Sequence, residues 1–176
     1  MSSFRSRFFV FMLKHQHLLK GQLRRTERID PETSIPALRE MVEKSAKIMG
    51  KLPKGFAIEP ESIDGRLNAE WVLPPEAAKD RAILYFHGGG LVVGSARAHR
   101  GIVAKFVKGS GIPALCFDYG LAPENPFPRG LEDSLAAYEF LLQRGIPSDR
   151  IVFMGDSGGG NLVFATMLAL KERKRP

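Results

Sequence analysis

Cysteine is almost missing from this chain. Cys116 is the single one in 176 residues, so no internal disulfide framework can staple the fold. It lies inside an apolar run with no histidine near it in sequence, the setting of a buried small hydrophobe rather than a nucleophile. No cluster has the ligand spacing of a structural zinc site. Long hydrophobic runs are missing too. The apolar stretch Phe8-Phe9-Val10-Phe11-Met12-Leu13 is too short to span a bilayer. Basic residues precede it, as in a signal peptide, but no small-x-small cleavage site follows. Internal repeats and low-complexity tracts are absent. Histidine is scarce and one-sided, at positions 15, 17, 87 and 99 only.

What is present describes an ordinary globular chain, 44% apolar and 26% charged, long enough for one domain with a real core. The net charge of +7 is unevenly placed. Residues 1–54 hold 12 Lys/Arg and 5 Asp/Glu, while residues 55–176 hold 14 of each. The basic excess belongs to an N-terminal arm. A nucleic-acid partner would call for a basic stripe on the folded body, and none is there. Phenylalanines and Lys/Arg in the arm suit either a helix packed on its own domain or peripheral contact with a membrane surface. The expected location is the cytoplasm, with membrane association open through that arm.

Apolar spacing from Ile35 to Met49 is helical, and Gly50 ends it. From Phe56 to Leu73 the pattern turns to strands in a hairpin-like section closed by Pro74-Pro75. The body then alternates. Strands are expected at 82–86, 113–117 and 151–154, with helices at about 97–109, 131–143 and 161–170. Alternation of this kind implies βαβ units and a mainly parallel sheet with helices on both faces. The expected division is a helical, cap-like arm at 1–54 and an α/β body at 55–176.

Two glycine clusters carry the chemistry. Gly155-Asp156-Ser157-Gly158-Gly159-Gly160 joins an apolar strand to a helix and contains G-x-S-x-G, the pattern of a nucleophile elbow. Lifting the Ser157 hydroxyl clear of the sheet demands a sparsely populated φ/ψ, and strand and helix then cross too closely for side chains at 155 or 159. The plainer reading is a Gly-rich turn. His87-Gly88-Gly89-Gly90 directly follows the 82–86 strand, where uncovered backbone N–H groups can cradle a phosphate or an oxyanion. Gly88-x-Gly90-x-x-x-Gly94 also approaches a dinucleotide-binding fingerprint, with Asp118 ending the next strand. Its spacing is not G-x-G-x-x-G, however, and Ser157 would then have no purpose.

Together the clusters resemble the hormone-sensitive-lipase-like esterases of the α/β-hydrolase fold. Asp118-Tyr119-Gly120-Leu121-Ala122-Pro123-Glu124-Asn125-Pro126-Phe127-Pro128 and Leu131-Glu132-Asp133 to Leu142 are similar to further segments of that family. The resemblance implies that Ser157 is the nucleophile and that the N–H groups of Gly88, Gly89 and Gly158 form the oxyanion hole. His87, Gly90 and Asp156 would support the loops, and Asp118 and Glu124 would hold loops by hydrogen bonds. The substrate would be an apolar small-molecule ester or lactone, with no cofactor. Gly158 stands where the family has alanine. Gly120 and Asn125 stand where it has arginine and histidine.

In this fold the acid and the histidine follow the serine along the chain. The 19 residues after Ser157 contain no histidine and one acid, Glu172. The sequence therefore reads as the N-terminal portion of a longer hydrolase, with the triad acid and base outside it. His99 lies early in the helix after the glycine loop, and its spacing does not guarantee reach to Ser157. An inactive fragment that binds acyl ligands or a partner is the other reading.

Overall fold

Alternation of side chains on two short strands organises the molecule. In the computed structural model, which describes Phe4, Arg7, Phe8, Val10, Phe11 and residues 34–49 and 52–175, β3 (Ala82–Phe86) and β4 (Ala114–Phe117) are buried at every position. Leu84 and Phe86, with Leu115 and Phe117, enter one apolar core. Ile83 and Tyr85, with Ala114 and Cys116, enter the other. Successive strand residues point to opposite faces, so a continuous apolar run is what a sheet covered on both sides requires. Each fully buried Leu, Ile, Val or Phe contributes about 1.5–3 kcal/mol relative to exposure.

The sheet has five strands in the order β1-β2-β4-β3-β5, with β1 at Ala57–Ile63, β2 at Leu67–Leu73 and β5 at Ile151–Gly155. β3 runs parallel to β4 and to β5, whereas β1 pairs antiparallel with β2 and β2 antiparallel with β4. The sheet is thus mixed: β1, β3, β4 and β5 run in one direction, and β2 alone is reversed. The difference comes from the hairpin, whose second strand adds to β4 in the opposite direction. Asp64 and Gly65 take positive φ in its turn, a conformation Asp and Gly tolerate.

α2 (Ala96–Ser110) covers the Tyr85 face, and α3 (Arg129–Gln143) and α4 (Gly158–Glu172) cover the Phe86 face. Ser95 caps α2 by accepting from the Ala98 N–H at 3.0 Å, and Gly111 in the left-handed region ends it. Asp118, at the end of β4, accepts from the Ala96 N–H at 2.7 Å. That bond gives it a structural partner in place of a ribose.

The chain divides into two compact units, Met1–Thr33 and Ser34–Pro176. α1 (Ile35–Met49), grouped with the arm by the sequence, therefore belongs to the larger unit. Arg39 holds it there. Its guanidinium donates to both carboxylate oxygens of Glu124, to the Ala122 carbonyl and, through Nε, to the Val92 carbonyl at 2.8 Å. In the N-terminal unit the described residues are helical, and Phe4, Phe8, Val10 and Phe11 are exposed. Among the described residues no helix is long and apolar enough to cross a membrane.

Candidate active site

Parallel β4, β3 and β5 bring their C-terminal ends to one edge, the place where open α/β sheets bind ligands. The loop after β3 and the turn after β5 meet there. Ser157 has φ 50° and ψ −119°, a sparsely populated region for a residue with a side chain. The neighbouring glycines explain how the turn closes. A Cβ on Gly159 would lie 2.0 Å from the Phe86 carbonyl oxygen, and one on Gly155 would lie 2.8 Å from the Gly159 carbonyl carbon. Strand and helix touch backbone to backbone, and Ser157 is left exposed at the crest.

Asp156 links the two glycine clusters. Its Oδ1 accepts from the Gly88 N–H at 3.0 Å and from the Tyr85 hydroxyl at 2.9 Å. The Gly88 N–H is therefore already committed, which corrects the expectation that it faces an oxyanion. Gly89, Gly90 and Gly158 have no hydrogen-bond partner for their N–H groups among the described residues. Gly158 opens α4, where the first N–H has no helical acceptor. A Cβ on Gly158 would sit 3.0 Å from the Gly90 nitrogen, so the start of α4 packs directly against the glycine loop. Gly89 holds φ 124°, and its carbonyl accepts from Val92 and Val93, which curls the loop into a tight turn.

His87 is fully buried beneath that loop. Its ring stacks on Tyr119 at 4.2 Å and lies 5.3 Å from the His99 ring. Nδ1 donates to the Gly88 carbonyl at 2.9 Å, and the Tyr119 hydroxyl donates to the His87 carbonyl at 2.6 Å. Nε2 is buried with no partner. Burial is the main cause that lowers the His87 pKa to about 4, because a second N–H would be left unsatisfied. The ring is thus a neutral brace for the loop and makes no hydrogen bond to Ser157. Tyr85 and Tyr119 are the residues that sequence reasoning missed. A tyrosine inside an apolar strand run reads as core, and only the position of Tyr119 beside Asp118 set it apart.

No histidine among the described residues hydrogen-bonds to Ser157. His99 turns instead to Asp156, with Nε2 3.8 Å from Oδ1, while its Nδ1 donates to the Ser95 carbonyl. His15 and His17 lie outside the described residues.

Residues 83–176 match a family model described as the alpha/beta hydrolase fold. The chain belongs to the α/β-hydrolase family. It is similar in sequence and structure to hormone-sensitive lipases and to related esterases. An acetyl-hydrolase of Streptomyces hygroscopicus is 40% identical over 113 residues, 64% of this chain and 37% of that protein. Human hormone-sensitive lipase is 40% identical over 103 residues, 56% of this chain and 10% of the lipase. The crystal structure of an esterase from the bacterial hormone-sensitive lipase family superposes with a TM-score of 0.77 at 38% identity, covering 84% of this chain and 49% of that one. The chain spans about half the length of that structure, and less of both relatives. Where the α/β-hydrolase resemblance led one to expect arginine, Gly120 donates its N–H to the buried Asp133. The space a Cβ would take is filled by Arg129 and Asn125, and Arg129 and Arg66 both pair with Asp133.

Proposed function

We propose that this chain carries the nucleophile and the oxyanion hole of a serine carboxylic-ester hydrolase. The observation that supports this best is the strained, exposed Ser157 set beside the unpartnered N–H groups of Gly89, Gly90 and Gly158. Ser157 Oγ attacks the ester carbonyl, and its proton passes to a general base. The carbonyl oxygen becomes an oxyanion received by the three N–H groups at the positive end of α4. Collapse expels the alcohol and leaves an acyl-serine, which water hydrolyses to the acid with the base acting a second time. Asp156, His87 and Gly90 hold the glycine loop against the elbow, and the mechanism draws on no cofactor. The triad acid and base are not among the described residues around Ser157, and the substrate is an apolar small ester or lactone.

The test is hydrolysis of p-nitrophenyl acetate with Ser157→Ala and Gly89→Ala in parallel. Turnover above the uncatalysed rate that Ser157→Ala abolishes supports the reading. Turnover that survives in Ser157→Ala removes it, and a folded chain that binds acyl ligands without turnover favours the non-catalytic alternative.

The exposed Phe4, Phe8 and Val10, beside Arg5 and Arg7 in sequence, favour peripheral membrane contact by the arm. Co-sedimentation with phosphatidylserine vesicles that Phe8→Asp reduces is the expected result. Equal sedimentation of the variant would contradict it.

A further inference from the structure

Among the described residues, Asp64, Leu91, Ser157 and Lys174 combine a side chain with a positive φ. Asp64 lies in the hairpin turn, Lys174 follows the end of α4, and Ser157 is the elbow. Leu91, at φ 63°, stands directly after the glycine loop. A bulky residue is strained in that region, so its surroundings must hold it there.

The Leu91 carbonyl accepts from the Ala122 N–H at 2.8 Å. Its half-buried side chain packs on the core that contains Phe86 and Leu162. The next residue is fixed at both ends. The Val92 N–H donates to the Gly89 carbonyl at 3.1 Å, and the Val92 carbonyl accepts from Arg39 Nε at 2.8 Å. Arg39 Nη2 also donates to the Ala122 carbonyl at 2.9 Å. One guanidinium of α1 thus grips both of the residues that bracket Leu91.

A peptide unit is planar, so the φ of Leu91 sets the direction of the unit that joins it to Gly90. That unit lies against the start of α4. A Cβ on Gly158 would meet the Gly90 nitrogen at 3.0 Å and the Leu91 nitrogen at 3.2 Å. Relaxation of Leu91 to negative φ swings this peptide unit and shifts Gly90 against the elbow.

We propose that Leu91 is a positioning residue for the Gly89 and Gly90 N–H groups, held under strain by Ala122 and Arg39. Glycine at 91 would reach the same φ without strain. It would leave that φ as freely, with no side chain anchored in the core. The inference rests on the hydrolase reading for what the N–H groups receive, and on backbone geometry alone for how they are held.

The experiment takes two readings on the full chain. One is the rate of fluorophosphonate labelling of Ser157 against reagent concentration, and the other is the backbone order parameter at Gly89 and Gly90 from ¹⁵N relaxation. Leu91→Gly is expected to slow the saturating labelling rate about tenfold, with half-saturation unchanged within about twofold. The order parameters at Gly89 and Gly90 fall from about 0.85 to below about 0.6, while those of β3 and β4 stay high. Leu91→Met keeps the apolar anchor and stays within about threefold of the wild-type labelling rate. Arg39→Ala moves both readings in the direction of Leu91→Gly, and it carries the test if Leu91→Gly does not fold. Unchanged labelling in the folded variant overturns the proposal. So does a loss of order that extends equally through β3 and β4, since Leu91 is then a core side chain only. A wild type that is not labelled sinks the hydrolase reading, and the order parameters alone then decide the positioning claim.

Discussion

Asp156 carries more of the candidate site than its place beside Ser157 suggests. It accepts from the Gly88 backbone and from Tyr85, so one carboxylate fixes the glycine loop to the elbow. Asp156→Ala leaves both donors without an acceptor and is expected to destabilise by about 1–3 kcal/mol, whereas Tyr85→Phe costs about 0.5–1.5 kcal/mol, read from urea midpoints. His87 gives a pH signature. Its pKa is about 4 in the fold and near 6.5 when unfolded, so below pH 6.5 the unfolded chain binds the extra proton. His87 therefore stabilises fully above pH 6.5, and that contribution is lost as the pH falls to about 4, by roughly 3 kcal/mol in all. Gly88, His99, Tyr119 and Asp156 are its surroundings. Burial raises the Asp118 pKa and acts in the opposite sense, so the test is a difference. Urea midpoints from pH 7 to pH 4.5 should fall less steeply in His87→Gln than in the wild type. Equal slopes would contradict the buried neutral ring.

At the scale of elements, the crossing of β5 and α4 and the strap from α1 decide the site's shape. A methyl group at 159 has no room against the Phe86 carbonyl, so Gly159→Ala must push the helix from the strand. Loss of more than about 3 kcal/mol, or failure to fold, is expected. The circular dichroism melt of that variant checks it. Arg39→Ala should speed amide exchange in α1 and at Val92 and Val93. Arg39→Lys should do nearly the same, because an ammonium cannot span two carboxylate oxygens and two carbonyls at once. Much of this level was legible in the sequence. The strands at 82–86 and 151–154, and the helices between, follow from apolar period and glycine punctuation. The hairpin's antiparallel join to β4 was not legible, since pairing direction depends on which edge stays free. Arg39 was not legible either, because a lone arginine on a helix gives no sign of a partner 85 residues away.

For the whole molecule, the two glycine clusters that the sequence singles out meet at one edge of the sheet, but the sequence could not show which N–H groups remain free. Gly88 was the natural first donor after His87, and only the Asp156 bond removes it. The β1 and β5 edges show the same limit in reverse. Their residues can be read in the sequence, yet only the sheet order reveals that an interior-type strand stands at an edge. The proposed role of Ser157 is that of a nucleophile beside the free N–H groups of Gly89, Gly90 and Gly158. Without a positioned base its attack is slow, but the cradle alone sustains a residual reaction. Intact-mass and peptide analysis after incubation with a fluorophosphonate tests this most directly. A single adduct on Ser157, absent in Ser157→Ala and slowed in Gly89→Ala, is the expected result. An adduct on another serine, or none on the folded chain, would contradict it.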